Sequence, residues 1–215
     1  IPQTTLQGER LRDDWVARLG RDEPTTPKTP WLAFPEISVD TAHGPVLLRD
    51  WRPSDVDALE PANHPEHYLP MTAIPPVDFF ETWRMTRLEH RILGTGLSWC
   101  IANAEDRAMG YVTVFSRGGP IGDYAELGYY VFPSARGRGV VTAAAQAAVA
   151  HAFGSIEAGG LGVRRLVAMT GDGTEASNRT GAALGFTQFG REREVDVLPS
   201  GPVDLIHWDL LAKDR

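Results

Sequence analysis

The most constraining feature of this chain is the stretch AELGYYVFPSARGRGVVTAAAQAAVAHAF, residues 125–153. An apolar and aromatic segment ends at Pro133, two arginines and two glycines follow, and an alanine-rich run completes the stretch. Aromatic and β-branched residues favour a strand, whereas a run of alanines favours a helix. A glycine-rich turn between a strand and a helix leaves backbone N–H groups free at the positive end of the helix dipole. The stretch therefore predicts a phosphate-binding turn, for nucleic acid, a nucleotide or another phosphate-bearing cofactor.

Charge and spacing separate these three ligands. The formal net charge of the 215 residues is -7, which argues against a nucleic-acid surface because phosphate neutralisation needs clustered Lys and Arg. A triphosphate loop requires Gly-Lys-Ser/Thr, which the sequence lacks. A dinucleotide fingerprint fits only as Gly137-x-Gly139-x-x-Thr142, without an acid at the end of the next strand. The pattern thus favours a different phosphate-bearing cofactor.

The single cysteine and the hydropathy bound the class of protein. Cys100 lies in the apolar run LSWCIA, so we expect a buried structural thiol, and neither an internal disulfide nor a cysteine metal cage can form. No apolar run approaches the roughly 20 residues of a membrane span, and no signal-peptide pattern opens the sequence. These features predict a cytoplasmic protein that uses no membrane.

Two segments precede the expected compact domain. Residues 1–23 predict a short amphipathic helix from their apolar points Leu6, Leu11, Trp15 and Leu19. Residues 24–35 are rich in proline, which predicts a linker or an extended wrap that could contact a second copy in a homodimer. We expect residues 1–42 to be an N-terminal arm, or the tail of a preceding unit, and residues 43–215 to form one domain.

From residue 45 onward, the hydrophobic periodicity predicts the order β-α-α-β-β-β-α-β-α-β-β. Ser54 is the expected N-cap of the first helix, and residues 77–93 have the spacing of a second one. Hairpins dominate the middle of the chain, and helical crossovers follow residue 136. The order predicts a mixed sheet flanked by helices, of the α/β or α+β class.

Two motifs resemble those of the GCN5-related N-acetyltransferases, and more narrowly the branch that acetylates the N-termini of ribosomal proteins. The family's Arg/Gln-x-x-Gly-x-Gly/Ala loop is matched by Arg136 and Gly139, with Val141 at the small position. Its Asn-x-x-Ser motif, before a helix ending in Gly-Phe, is matched by residues 174–186, with Thr174 in place of Asn. The resemblance covers roughly residues 43–213 and implies the family's fold, a mixed, mostly antiparallel sheet of about seven strands flanked by helices.

The resemblance implies transfer of an acetyl group from acetyl-CoA to a primary amine by direct attack on the thioester, without a metal. The pyrophosphate would lie on the loop and the helix after it, and the pantetheine arm would pair with the backbone of the preceding strand. The residues implied for the cofactor are Val131, Phe132, Arg136, Gly137, Arg138, Gly139, Val140, Val141, Thr174, Ser177 and Arg179.

Two residues are the candidates for proton transfer. Glu126 lies on the strand that leads to the loop, among apolar neighbours that suit a carboxylate acting as general base; its alternative is an ordinary strand glutamate facing solvent or pairing with an arginine. Ser177 is the candidate acid by motif position, and it could equally be a helix N-cap. Gly181 stands where other members carry a catalytic tyrosine. Tyr129 and Tyr130 point in opposite directions, so one of them should face the core.

The acceptor is left open between a protein N-terminus and a small-molecule amine such as an antibiotic or a metabolite. We expect acceptor contacts from residues 63–93 and 191–204. His64 and His67 invite a metal interpretation, but Pro65 breaks a regular helix between them and a solvated loop is favoured. The alternative function is a non-catalytic protein that binds CoA or another ligand as a sensor or to sequester it.

Overall fold

The structure is a computed structural model, and it describes residues 5–7, 10–12, 34–59, 79–118, 123–198 and 201–215. The strands in these ranges are β1 (Thr5–Gln7), β2 (Arg10–Arg12), β3 (Ile37–Thr41), β4 (Gly44–Arg49), β5 (Gly96–Ala102), β6 (Ala108–Gly118), β7 (Tyr124–Val131), β8 (Arg165–Gly171), β9 (Thr187–Leu198) and β10 (Gly201–Leu211). The α-helices are α1 (Phe80–Ile92), α2 (Val140–Phe153) and α3 (Glu175–Ala183). None of these helices has the length and apolarity needed to cross a membrane.

Strands β3 to β10 form one sheet in the order β3-β4-β5-β6-β7-β8-β10-β9. The neighbouring strands are antiparallel except β7 and β8, which are parallel. The crossover between β7 and β8 contains α2, as a parallel connection requires. The prediction of a mixed, mostly antiparallel sheet flanked by helices is confirmed.

The sheet has eight described strands, one more than predicted. The extra strand is β3, which lies before residue 43 in the segment assigned above to the N-terminal arm. Its Ile37 and Val39 alternate with more exposed residues and pack against the core. The dense prolines nearby hid this short period-two pattern, so the sheet begins earlier than the predicted boundary.

The two faces of the sheet carry separate hydrophobic clusters. On one face, α2 presents alanines that are fully buried, which lets the helix lie close to β6 and β7. On the other face, α1 packs Phe80 and Trp83 against Trp51 and Tyr111. Strand β5 lies between the clusters and is buried along its whole length, including Cys100. Burial of Cys100 agrees with the expected structural thiol.

A buried ion pair holds the turn after β4. The Arg49 side chain is 1% exposed and donates through Nη1 and Nη2 to the Asp55 carboxylate, at 2.9 and 2.8 Å. The carboxylate also accepts from the backbone N–H of Arg52 at 2.8 Å. This contact makes Arg52 the residue before a 3-10 helix, Pro53–Ala58. The predicted Ser54 N-cap is therefore wrong, because Arg52 occupies the N-cap position and Ser54 lies inside the helix.

The backbone of β1 pairs with β2 in a separate two-stranded sheet. The predicted helix over residues 1–23 is therefore wrong in these two segments. Leu6 and Leu11 are cross-strand partners, and Gly8 between them is a poor helix former. The rest of that predicted helix lies outside the described residues.

Candidate functional site

The central feature of the sheet is an opening between β7 and β8. These strands pair at only three positions: Tyr124 with Arg165, Ala125 with Leu166 and Glu126 with Val167. Beyond that point β7 continues to Val131 and β8 continues to Gly171 without pairing to each other. Backbone groups of both strands therefore face a gap in the middle of the sheet.

A cleft of about 690 Å³ lies beside this gap. Its walls come from the end of β7, the glycine-arginine loop, the first turn of α2 and one side of α3. The lining residues are Tyr129, Tyr130, Val131, Arg136, Gly137, Gly139, Val141, Thr142, Gly173, Thr174, Glu175, Ala176, Ser177, Arg179, Thr180 and Ala183.

The loop before α2 presents backbone donors to the cleft. Gly137 and Gly139 have φ values of +72° and +69°, in the left-handed region that favours glycine. The first bond of the helix runs from the Ala143 N–H to the Gly139 carbonyl, at 3.1 Å. The N–H groups of the three residues before Ala143 have no acceptor within the helix. Val141 and Thr142 line the cleft, so the positive end of α2 borders it, an arrangement that favours an anion.

Eight of the eleven predicted cofactor residues line this cleft, and Phe132, Arg138 and Val140 do not. The Phe132 side chain is 1% exposed, and its N–H donates to the Met109 carbonyl of β6 at 2.7 Å. The Val140 side chain is buried in the core. The Phe132 N–H is thus used within the sheet. Successive N–H groups along a strand point to opposite edges, so the Val131 N–H faces the gap.

Several lining residues were not predicted from the sequence. Those on α3 are Glu175, Ala176, Thr180 and Ala183, and the last three recur with Arg179 at three- and four-residue spacing. Residues at that spacing share one helix face, so this signal was available in the sequence.

Tyr130 positions the loop arginine. The Arg136 guanidinium donates to the Tyr130 hydroxyl at 3.4 Å and lies 5.8 Å from the centre of its ring. The Tyr130 ring also stacks on Tyr111 of β6. Tyr129 packs against the cluster on the α2 face, and Tyr130 against the cluster on the α1 face. We expected one of them to face the core, and the structure packs each of them against the core on its own face of the sheet.

Helix α3 begins after Thr174, whose hydroxyl donates to the Gly171 carbonyl at 2.5 Å. Ser177 lies inside the first turn of α3, so its interpretation as an N-cap is wrong. The Tyr129 hydroxyl donates to the main-chain carbonyl of Ser177 at 3.1 Å. Burial raises the pKa of Tyr129 to about 12, so this hydroxyl remains a neutral donor that ties α3 to β7.

A second contact anchors α3 to the sheet. The Trp208 indole N–H donates to the Thr170 hydroxyl at 2.9 Å, and that hydroxyl donates to the Asn178 side-chain oxygen at 2.5 Å. A Cβ at Gly181 would lie 3.7 Å from the Trp208 ring. Trp208 therefore occupies the space beside Gly181, the helix position where other members of the resembled family carry a catalytic tyrosine.

Glu126 lies at the foot of the opening, as the last residue of β7 that pairs with β8. By strand alternation its side chain shares the α1 face with Gly128 and Tyr130, whereas α3 lies on the other face. The carboxylate forms an ion pair with Arg117 of β6. Glu126 does not line the cleft, so Glu126 and Ser177 flank the gap from opposite faces of the sheet.

The remaining sites predicted from the sequence are the histidine pair and the two acceptor segments. The residues His64 and His67 lie outside the described residues, as does most of the acceptor segment before α1. No cluster of three or more His, Cys, Asp or Glu suited to a metal occurs among the residues described. In the β9–β10 hairpin, Arg191 contacts Asp204 at 2.6 Å and Asp172 at 2.5 Å, and the strand is largely exposed.

The model of the acetyltransferase (GNAT) domain family matches residues 46–187. The chain belongs to this family. The match runs from β4 through the loop and α3 into the start of β9, so it contains the opening in the sheet and both motifs. The family predicted from these motifs is confirmed.

Individual relatives agree with this assignment. The Bacillus subtilis protein YdaF carries a provisional name as a ribosomal N-acetyltransferase and is 27% identical to this chain over 90 residues. These residues are 42% of this chain and 46% of YdaF, so this chain spans about half the length of that relative. A solved structure of Mycobacterium smegmatis RimJ with a CoA disulfide superposes with a TM-score of 0.71 at 21% identity, over 83% of this chain and 88% of RimJ. The Vibrio fischeri ribosomal-protein-S5-alanine acetyltransferase superposes with a TM-score of 0.67 at 19% identity, over 83% and 98%. These structural likenesses show the fold.

Proposed function

We propose that this protein transfers the acetyl group of acetyl-CoA to a primary amine. The observation that carries the proposal is the opening between β7 and β8, bordered by the free N–H groups at the start of α2 in a cleft of about 690 Å³. One side of the opening offers an anion site for a phosphate-bearing cofactor. The other side exposes a carboxylate, Glu126, that can accept a proton.

The residues present suit acetyl-CoA. The pyrophosphate would accept hydrogen bonds from the N–H groups of Val141 and Thr142, with Arg136 adding charge-assisted bonds. The pantetheine arm would pair with the edge of β7 at Val131, as an added strand does. Acetyl-CoA supplies the activated acetyl group, and no metal is invoked.

The proposed chemistry needs two proton movements. Glu126 takes one proton from the ammonium, directly or through a water, which leaves a neutral amine with its lone pair free. The nitrogen then attacks the thioester carbonyl, a C–N bond forms, the C–S bond breaks, and the second amine proton passes to the departing sulfur. Ser177, which lines the cleft, is the proposed relay: its hydroxyl gives a proton to the sulfur and takes the second amine proton in exchange. The products are the acetylated amine, CoA and the proton taken up by Glu126.

The acceptor is a protein N-terminus or a small-molecule amine, and the ribosomal-protein acetyltransferases among the relatives favour the N-terminus. Gly128 adds room for it, because this residue leaves no side chain between Glu126 and Tyr130 on the same face of β7. A Cβ at Gly128 would lie 2.8 Å from the Thr113 hydroxyl, so a larger residue would not fit without movement. We propose that the reaction occurs in the cytoplasm.

The test is release of CoA thiol with acetyl-CoA and a panel of amines: peptides with N-terminal Ala or Ser, spermidine, and an aminoglycoside. Glu126→Gln should lower turnover by about 10²–10⁴-fold, the usual contribution of a general base, and should leave thermal stabilisation by acetyl-CoA unchanged. Stabilisation by acetyl-CoA without turnover on any amine would favour the sensor or sequestering function. The absence of any stabilisation would refute both functions.

A further inference from the structure

The ion pair between Arg117 and Glu126 joins two adjacent strands at the foot of the opening. Phe115 of β6 is the cross-strand partner of Glu126, and Arg117 follows two residues later beside an irregularity in the β6–β7 register. The contact runs from Arg117 Nη2 to Glu126 Oε2. The pair therefore lies on the α1 face, at the point where β7 leaves β8.

The burial of the two partners is unequal. The Glu126 side chain is 22% exposed, whereas that of Arg117 is 46% exposed. The more buried partner has less room to move and fewer contacts with water. The pair consequently does more to place the carboxylate than to place the arginine.

Two arginines close to the start of β8 have their own acids, and Arg87 of α1 lies over the Phe115 ring. Arg165 contacts Asp209 at 3.0 Å, and Arg164 contacts Asp123 at 2.7 Å. Among the described residues, Arg117 is the cation that contacts Glu126. The carboxylate oxygen that makes this contact is Oε2.

We propose that Arg117 is a positioning residue for the acetyl transfer, which rests on the function proposed above. Arg117 holds the carboxylate through Oε2 and fixes the rotamer of Glu126, so that the carboxylate stays at the opening and can accept the proton of the acceptor. Without the arginine, the three side-chain torsions of Glu126 are free to carry the carboxylate away from the opening. A misplacement of about 1 Å can cost roughly 10²-fold in rate.

The substitutions Arg117→Gln and Arg117→Lys test this role. The glutamine variant should lose about tenfold to a hundredfold in kcat, with the KM for acetyl-CoA and the thermal shift by acetyl-CoA unchanged. The lysine variant, which keeps the charge, should recover at least half of that loss on a logarithmic scale. Arg165→Gln is the matched control, because Arg165 also pairs with an acid of a neighbouring strand, Asp209, at 3.0 Å, and this variant should leave kcat unchanged.

A double-mutant cycle with Glu126→Gln isolates the pair. If Arg117 acts through Glu126, adding Arg117→Gln to the Glu126→Gln protein changes kcat/KM by less than about twofold. Independent effects would instead multiply and would overturn the inference. So would an Arg117→Gln enzyme as fast as the wild type, or a lysine variant no faster than the glutamine variant. A wild-type protein that acetylates no amine in the panel refutes the proposed function, whereas these outcomes in an active wild type refute only the role of Arg117.

Discussion

Replacing Gly139 by alanine separates the shape of the loop from its use as a binding site. Gly139 has φ +69°, and a Cβ added there would meet no protein atom within 4 Å. The cost to the free protein is therefore conformational, roughly 1–2 kcal/mol for a side chain in the left-handed region. For a chain of this length each kcal/mol lowers Tm by about 2–4 °C, so Gly139→Ala should melt about 2–8 °C lower than the wild type.

Gly159 provides the matched control. It has φ +82° and is likewise free of protein atoms within 4 Å of an added Cβ. It lies beyond the far end of α2, a 14-residue helix that spans about 21 Å. Gly159→Ala should therefore lower Tm by about as much as Gly139→Ala, and it should leave the cleft unaltered.

Acetyl-CoA should distinguish the two variants. At about a hundred times Kd, a ligand stabilises the folded protein by about 2.7 kcal/mol, which corresponds to a rise in Tm of about 5–11 °C. Gly159→Ala should keep this rise. In Gly139→Ala the new methyl group stands where the phosphate must approach, and a hundredfold weaker Kd would leave about 0.4 kcal/mol, or about 1–2 °C.

Thermal denaturation with and without acetyl-CoA measures both quantities in one series. An acetyl-CoA shift in Gly139→Ala equal to that in Gly159→Ala would refute the anion site at α2. A loss of the shift in both variants would mean that strain in α2, and not contact with the ligand, controls binding.

Two further predictions concern stability and its pH dependence. Asp55→Ala should lower the free energy of unfolding by about 3–5 kcal/mol in urea denaturation, because it leaves the buried Arg49 without its main partner. As a control, Glu81→Gln in an exposed pair should leave the urea midpoint unchanged. Burial lowers the pKa of His151 below 6.5, so the unfolded chain binds a proton that the folded chain does not. Stability is then lost as pH falls through 6.5, and His151→Phe should flatten the urea midpoint between pH 7 and pH 5; an equally steep wild-type and variant profile would contradict this.

The loop and its helix were predictable because their signals are local. Glycines at residues 137 and 139, a preceding strand pattern and a following alanine run lie within one short stretch of sequence. Left-handed backbone, strand period and helix propensity each act over a few residues. The α/β class and the motifs follow from the same local signals.

The opening and its contacts were not predictable in this way. Loss of pairing between β7 and β8 depends on strands that α2 separates in the chain. The contact of Arg117 with Glu126 depends on a hairpin register, and the burial of Arg49 depends on Asp55 and on a distant turn at Asp106. Such contacts are set by tertiary packing, which a periodicity pattern does not encode.

The gap between β7 and β8 amounts to a sheet edge placed inside the molecule. Exposed edges are where strands from other molecules add on, so proteins usually shield or interrupt them. Here a cleft lies beside the gap, and the Val131 N–H points to the side of β7 on which pairing with β8 has ended. An extended ligand that pairs with this edge would cover it. Amide hydrogen exchange at Val131 should therefore be fast in the free protein and slow with acetyl-CoA, while the Phe132 amide, bonded to Met109, should be slow in both.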